Sequence, residues 1–569
     1  MEDIYEDEGM SNEDTYEDEG LIGEGTYGEV FLVSKDGKRY ASKISDFRER
    51  NGSTLRELRL LSYFSETSSQ SHPNIISLVD FIPGDNFEIV LELAEGDLSK
   101  LATWNFTERR KKMILYQLAK GLDEMHSNDV VHADIKSANI LYTTCESGIS
   151  QIEGEKDMRV MYSDFGVSSF GTCPGESDNS DNAAYTLWWR PPENLLGFSY
   201  SFSADIWALG CTFYEIVTGG ILLPGDSDND QLFKIFRLFG DPRDNNYPKA
   251  LESPFWSIVI NWNRDKPFEA DLKDFEPLSE PFRNLLKSML KLNPLDRITS
   301  RELVNHPYFD DVREDVDKII PCTKSNVDDQ PFSCSRSLKK RVVNYEWKSV
   351  ITDDRRIYTF SFLSGLTQGF KMKDNALFIA YEIFDMTSEM YANIEDFEEL
   401  SLAINRAIYA SLIISSILSS EYSLDVPDFV EVSGMSEGDL YEAIYEVLRI
   451  IGRKLYMSTS YDELVLLRRG LSREAKLMTD FFLILISMSP LKYPGEIKAL
   501  TALYLTSLYY ADEPYRFGDV YIKEILDLSA ETMRIIDIGN ERLFVKGDLC
   551  KRYTGIPFSK VLPVIEGYF

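Results

Sequence analysis

Between Leu21 and Val90 the hydrophobic pattern predicts short strands around one helix. EVFLV (29–33) and RYASKI (39–44) are strand-like runs, whereas STLRELRLLSYF (53–64) places apolar residues at 55, 58, 61 and 64, near enough to helical spacing to make one face. From Leu98 to about Asp310 helical segments dominate, and the polar stretch TTCESGISQIEGEKD between Ile140 and Val160 predicts a long hairpin insertion. Residues 311–345 are rich in Ser, Asp, Lys and Pro and lack periodicity, which predicts a linker. From about Glu346 onward AINRAIYASLIISSIL, DLYEAIYEVLRIIGRKLY, KLMTDFFLILISM and EIKALTALYLTSLYY each carry a continuous apolar stripe, with no strand-rich segment between them. The shift in pattern predicts a tail (1–20), an α+β domain (21–310), the linker (311–345) and an all-α domain (346–569).

A length of 569 residues suits two or three such cores. With 43% hydrophobic and 27% charged residues the chain reads as soluble and globular. A formal charge of -34 argues against a nucleic-acid-binding surface, because a phosphate backbone repels it. The one basic cluster, Lys339, Lys340 and Arg341, reads as solvated linker, with a nuclear-import signal as the alternative. Cysteines at 145, 173, 211, 322, 334 and 550 form no C-x-x-C pair, and no histidine stands at metal-ligand spacing from them, so they read as reduced thiols of an intracellular protein, cytoplasmic or nuclear. The apolar windows at 408–418 and 481–488 are too short to span a bilayer, and no signal peptide is expected, since the first twenty residues carry ten carboxylates and no Lys or Arg. That acidic tail repeats EDIYEDEG as EDTYEDEG and is expected to be disordered. A solubilising role is the plain reading, a pseudosubstrate-like or partner-binding arm the sharper one.

Candidate chemistry lies in the first domain. GEGTYGEV (23–30) offers Gly23, Gly25 and Gly28, which let a backbone approach phosphates without a Cβ in the way. Lys43 follows inside a strand and Glu57 on a helix; then come HADIKSAN (132–139), SDFG (163–166), RPPE (190–193), DIWALG (205–210) and Arg297 in NPLDRIT. In this order the motifs resemble those of the protein kinases. The resemblance implies a bilobal α+β kinase fold and an ATP site drawn from Ile22, Gly23, Gly25, Gly28, Val30, Lys43, Glu57, Glu92 and Ala94. It further implies Asp134 as the acceptor of the substrate hydroxyl proton, Asn139 and Asp164 as oxygen ligands of Mg2+, and Lys136 as neutraliser of the transferred phosphoryl group, hydrogen-bonded with Asp134 to Thr186.

GEGTYG, NGSTLRE, TLWWRPPE and GDSDNDQLFKIFRLFGDP (225–242) are similar to segments of the cyclin-dependent kinases over residues 21 to about 310. This implies phosphorylation of protein Ser or Thr before Pro, with Arg190 shaping the pocket for that proline. Thr26 and Tyr27 stand where that family is inhibited by phosphorylation, and loop packing is their alternative role. Three positions depart from the family. Ala133 replaces the arginine of the catalytic loop, Ser169 replaces a second phosphate-binding arginine, and Asp181 stands at the activating phosphothreonine, leaving Arg56 alone. The changes are mutually consistent: a phosphate asks for several arginines, whereas one carboxylate paired with Arg56 asks for one.

The second domain resembles a cyclin. AIYASLIISSILSSEYSLDVPDFVEVSG (407–434) is similar to a cyclin-box stretch, the helix containing Glu446 to the next, and KYPGEIKALTALYLTSLYY (492–510) to a segment of a second repeat. Two cyclin-box-like helical repeats are expected, divergent ones: an apolar or serine residue near Ser416 or Ile417 replaces the buried lysine whose partner is Glu446. RRIYTFSFL (355–363), with Arg355, Thr359 and Phe362, departs from the substrate-docking patch. The expected protein is thus a kinase activated within its own chain by a cyclin-like domain, using ATP and Mg2+. A kinase with an unrelated helical partner-binding domain and a pseudokinase scaffold remain the alternatives.

Overall fold

The computed structural model describes residues 16–319 apart from 26–27, 67–71, 146–156, 171–185, 199–200, 244–246 and 257–269, and beyond residue 353 chiefly the helices named below. The chain divides into two compact units, Met1–Val327 and Asp328–Phe569.

The first unit opens with β1 (Glu17–Gly25), β2 (Gly28–Lys35) and β3 (Lys38–Asp46), followed by α1 (Phe47–Glu66), β4 (Leu78–Ile82) and β5 (Asn86–Glu92). The five strands form one antiparallel sheet in the order β1-β2-β3-β5-β4. Helix α1 buries Leu55, Leu58, Leu61 and Phe64, the face anticipated from their spacing. It starts six residues before the expected position 53, because the Asp46 carboxylate accepts hydrogen bonds from the Arg48 (2.9 Å) and Glu49 (3.3 Å) amides and caps the extra turns. Asn51-Gly52, a turn signal in isolation, is carried inside the helix.

Strand β1 likewise begins within the stretch expected to be a disordered tail. Its first residues pair backbone to backbone with β2 (Glu17 opposite Ser34), Glu19 meets Arg39 at 2.8 Å, and the Tyr16 hydroxyl reaches Asp80 at 3.3 Å. An edge strand whose side chains face water carries no apolar signal, so composition could not mark it. The rest of the acidic repeat lies outside the described residues.

A helical layer follows: α2 (Glu108–Ser127), α3 (Pro192–Leu195), α4 (Phe202–Thr218), α5 (Asp228–Phe239), α6 (Glu280–Met289), α7 (Ser300–Val304) and α8 (Arg313–Ile319). Strand β6 (Gly96–Asp97) precedes α2, and between α2 and α3 run β7 (Val130–Val131), β8 (Ile140–Cys145), β9 (Asp157–Tyr162) and β10 (Ser169–Phe170). Strands β8 and β9 pair from Ile140 opposite Tyr162 to Cys145 opposite Asp157, giving the expected hairpin, whose tip lies outside the described residues. Helix α4 buries Ile206, Trp207, Leu209 and Phe213 around its circumference, and Cys211 with them. Burial pushes the Cys211 thiol up, so it is an inert core residue.

Helix α8 corrects the expected linker start at 311. Arg109 of α2 pairs with Asp315, Lys112 with Asp311 (3.0 Å) and Lys120 with Asp317 (2.6 Å), so residues 311–319 are fastened to the first unit. The polar composition that suggested linker is one half of this ionic clasp.

The second unit is helical among its described residues: α9 (Asp353–Gly369), α10 (Asp374–Thr387), α11 (Phe397–Ser419), α12 (Val426–Ser433), α13 (Glu437–Ile451), α14 (Arg473–Ser487) and α15 (Gly495–Tyr510). Helices α10, α11 and α13 pack together, and Phe360 meets Tyr381 edge-on at 4.5 Å between α9 and α10. Ser416 and Ile417 are buried in α11, while Glu446 of α13 faces Arg406 at 3.8 Å, about three helical turns before the position where a lysine partner was expected. Residues 398–419 of α11 are long and apolar enough to cross a membrane by length and composition, longer than the 408–418 window suggested, yet 61% of the apolar window is buried inside the unit.

Candidate active site

Asp205, at the first turn of α4, organises the loop after β7. Its fully buried carboxylate accepts hydrogen bonds from the His132 (2.8 Å) and Ala133 (3.0 Å) amides and lies 3.1 Å from His126 Nε2. Burial alone would push this carboxyl up, but the bonds from His126 and the His132 amide hold it below its usual value. So fastened, Ala133 takes a left-handed φ of 64°, a strain of roughly 1–2 kcal/mol for a residue with a Cβ. The bend delivers Asp134 to the surface of the cleft.

Four donors converge on Asp134. Lys136 Nζ is 2.6 Å from Oδ2, Asn139 Nδ2 donates to Oδ2 at 2.9 Å, and Thr186 donates to Oδ1 through its amide (3.0 Å) and its hydroxyl (2.8 Å). Lys136 also donates to Thr186 Oγ1 at 2.7 Å, closing a ring of three side chains. Burial would raise the Asp134 carboxyl, but Lys136, then Thr186, outweigh it and hold the group below the usual carboxylate range. It is therefore an ionised base at neutral pH.

Opposite stands a second cluster. Lys43 Nζ from β3 lies 2.7 Å from Glu57 Oε2 of α1 and 3.2 Å from Asp164 Oδ1. Burial would lower the Lys43 ammonium and raise the Glu57 carboxyl; two carboxylates around one ammonium reverse the first effect, so Lys43 stays charged and its pKa is raised. Asp164 also has a left-handed φ (63°), with Phe165 fully buried between His132 (5.1 Å) and Phe64 (6.0 Å).

The glycines of GEGTYGEV fall at the end of β1 and the start of β2. A Cβ at Gly28 would sit 2.1 Å from the Ile44 carbonyl oxygen, and its φ is 146°, so this glycine is required by the approach of β2 to β3. Gly23 and Gly25 lie in β1, pairing opposite Val30 and Gly28, and Ile22 is half-exposed beside them. Glu92 ends β5 with both carboxylate oxygens engaged away from the cleft, one accepting from the Ser77 amide (2.9 Å) and the other paired with Arg159. Its amide donates to the Ser77 carbonyl at 3.1 Å, so its side chain and its N–H are both engaged, and Ala94 follows two residues on. Thr26, Tyr27 and Asp181 lie outside the described residues. Arg56 Nε donates to the Gly166 carbonyl at 3.3 Å, tying α1 to SDFG, and Arg190 Nη1 reaches Asp228 at 2.9 Å at the start of α5.

Which ligands do these groups fit? Because Asn139 uses Nδ2 on Asp134, its carbonyl oxygen is the atom left to coordinate, and Asp164 adds a carboxylate. Among the described residues no cluster of three or more His, Cys, Asp or Glu could hold a metal. One or two hard oxygen ligands completed by substrate phosphates are what Mg2+ takes.

Sequence reasoning assigned no role to Asp205, His132 or Ser168, although the first two lie within quoted motifs. Nor did it pair Glu193 with Arg297. Those two form a bidentate ion pair at 2.6 and 2.7 Å, essentially without solvent access, that locks the segment after Arg190 to the loop before α7.

A two-lobed unit with an ionised base in a ring of donors and a Lys–Glu pair across the cleft is the architecture of a phosphotransferase. Residues 16–309, just over half the chain, match the protein kinase domain family. Similar proteins include cyclin-dependent kinase B2-1 of Oryza sativa subsp. japonica, 33% identical over 275 residues (46% of this chain, 78% of the relative), and cyclin-dependent kinase B2-2 of Arabidopsis thaliana, 33% identical over 273 residues (46% and 79%). Cyclin-dependent kinase 11 of Dictyostelium discoideum is 32% identical over 274 residues (47% and 71%). The chain belongs to the protein kinase family, as a serine/threonine kinase of the cyclin-dependent-kinase-like type. As such it uses ATP and acts on protein substrates.

Proposed function

We propose that the chain transfers the γ-phosphoryl group of ATP to Ser or Thr followed by Pro, and that its C-terminal helical unit activates the kinase unit in cis as a divergent cyclin. The observation that carries the catalytic reading is the ionised Asp134 held by Lys136, Asn139 and Thr186. The substrate hydroxyl gives its proton to Asp134 as its oxygen bonds to the γ-phosphorus, and the bond to the β-bridging oxygen breaks, releasing ADP. Lys43, kept charged and aimed by Glu57, holds the α- and β-phosphates, while Lys136 offsets charge on the moving phosphoryl group. Asn139 and Asp164 would hold Mg2+, which when bound supplies positive charge to the phosphates. Arg190, half-buried and paired with Asp228, shapes the site for the following proline.

Support for cis activation comes from the cyclin-like pattern of residues 407–434 and 492–510 and from the helical packing of the second unit. Tethering gives two modules an effective concentration in the order of millimolar, so a weak interface suffices. The catalytic reading is tested by incubating the full-length chain with Mg-ATP and Ser-Pro or Ser-Ala peptides. Wild type should favour the Ser-Pro peptide strongly, and Asp134→Asn should abolish transfer while still binding ATP. Equal transfer to both peptides would refute the proline preference, and full activity in the variant would refute the assignment of the base.

A further inference from the structure

The loop before Asp134 has its donors and its acceptor served from different sides. Asp205 takes the amides of His132 and Ala133 from below. The carbonyl of His132, at the bend where φ turns positive, faces the other way and accepts a hydrogen bond of 2.7 Å from Ser168 Oγ. Both residues are buried, Ser168 at 1% exposure and His132 at 0%. Ser168 is itself rigidly placed, since its amide donates to the Phe165 carbonyl at 3.1 Å and the next residues pair with β7, Ser169 opposite Val131 and Phe170 opposite Val130. His132 adds a second link, its Nε2 lying 3.1 Å from the Ser163 carbonyl.

We propose that Ser168 is a positioning residue for phosphoryl transfer: its hydroxyl fastens the backbone that presents Asp134 to the segment that presents Asp164. In the resembled kinases an arginine before the base, gripping an activating phosphate, helps to set this loop. Here Ala133 offers only a methyl group, and Ser168 bridges the same two segments from the opposite side with a neutral bond. The alignment of base and metal ligand therefore needs no phosphate. This inference rests on the reading of Asp134 as the base.

The experiment uses the full-length chain, a degenerate Ser/Thr peptide mixture so that proline preference does not matter, and hydrogen exchange on the same samples. Ser168→Ala should lower kcat roughly tenfold, the order expected for one buried hydrogen bond. KM for ATP should stay within about twofold, because Lys43 and Glu57 are untouched. Ser168→Thr should restore most of the rate, whereas Ser168→Cys, similar in volume but a weak donor, should not. Amides 132–134 should exchange faster in the Ala and Cys variants, while those of α4 beyond its first turn keep their protection. Phosphatase treatment of wild type should leave the rate unchanged. Wild-type kcat and wild-type exchange in Ser168→Ala and Ser168→Cys would overturn the proposal, as would a phosphatase-induced loss reversed by rephosphorylation. Asp134→Asn separates the two claims: if that variant is active the base assignment falls, and the exchange data still decide whether Ser168 holds the loop.

Discussion

Thr186→Ala removes one hydroxyl from the ring around the base and leaves the rest of the chain alone. In the wild-type protein that hydroxyl donates to Asp134 Oδ1 at 2.8 Å and accepts from Lys136 Nζ at 2.7 Å, while the Thr186 amide, at 3.0 Å from Oδ1, would survive the substitution. A hydrogen bond to a charged group contributes about 1.5–3 kcal/mol. With the amide retained and Thr186 half-buried, the lower end applies, and at about 1.4 kcal/mol per factor of ten kcat should fall roughly tenfold. The pH profile adds a second signature. Burial raises the Asp134 carboxyl, and Lys136 followed by Thr186 pulls it below the usual range; deleting the hydroxyl must therefore move it upward. A base with a depressed pKa stays ionised, and active, until the pH falls through that low value, so the acid limb of kcat should begin at higher pH in Thr186→Ala. Near pH 7 both proteins have an ionised base and only the loss of alignment remains. Thr186→Ser, which keeps the hydroxyl, should behave as wild type. Steady-state rates between pH 5 and 8 decide it: Thr186→Ala within twofold of wild type throughout, with a superimposable acid limb, would refute this account of Asp134.

Arg297→Met should destabilise the kinase unit by about 3–5 kcal/mol, because it strands a buried Glu193 carboxylate. Against a total of roughly 5–15 kcal/mol this should visibly shift the denaturant midpoint, followed by fluorescence of Trp207, whose ring lies 5.0 Å from the Arg297 guanidinium; a loss below about 1 kcal/mol would show that the pair is not structural. A chain ended after Ile319, so that the α2–α8 clasp is kept, should bind nucleotide yet lose most activity and regain it when residues 346–569 are added separately near their dissociation constant. A truncated kinase as fast as the whole chain would remove the activating role of the second unit.

The first unit was legible because its chemistry is written in short motifs whose parts must lie close in sequence. Gly28, Asp134, Lys136 and Asn139 fall within two such motifs, and Lys43, Glu57 and Asp164 come together in space once the sheet and α1 form. Boundaries were less legible. Asp46 caps α1 ahead of a run that looks like a turn, β1 starts among acidic residues held by backbone pairing with β2 and by the Glu19–Arg39 ion pair, and α8 is polar because its partners on α2 are cationic. These elements are defined by hydrogen bonds and ion pairs to distant residues, which hydrophobic periodicity does not record. Ser168 was invisible for the same reason: nothing in VSSF distinguishes a serine facing water from one that caps a buried carbonyl thirty-six residues away.

Ala133, Ser168 and Ser169 become one physical argument when their partners are considered together. A loop set by arginines and a phosphate rests on charges that must be desolvated, and its alignment follows kinase and phosphatase activity. In this chain the loop is set by the Asp205 carboxylate beneath, the Ser168 hydroxyl above and the pairing of β7 with β10 alongside, while Arg56 spends Nε on a backbone carbonyl. Those bonds form as the chain folds and are buried, hence little affected by salt. The contact between Lys43 and Glu57 depends on where α1 sits, held at one end by the Asp46 cap and by Ser45 on Thr54 at 3.0 Å, and at the other by Tyr63 on Asn128 at 2.5 Å. A shift of that helix would change the reach of Glu57 to Lys43, now 2.7 Å.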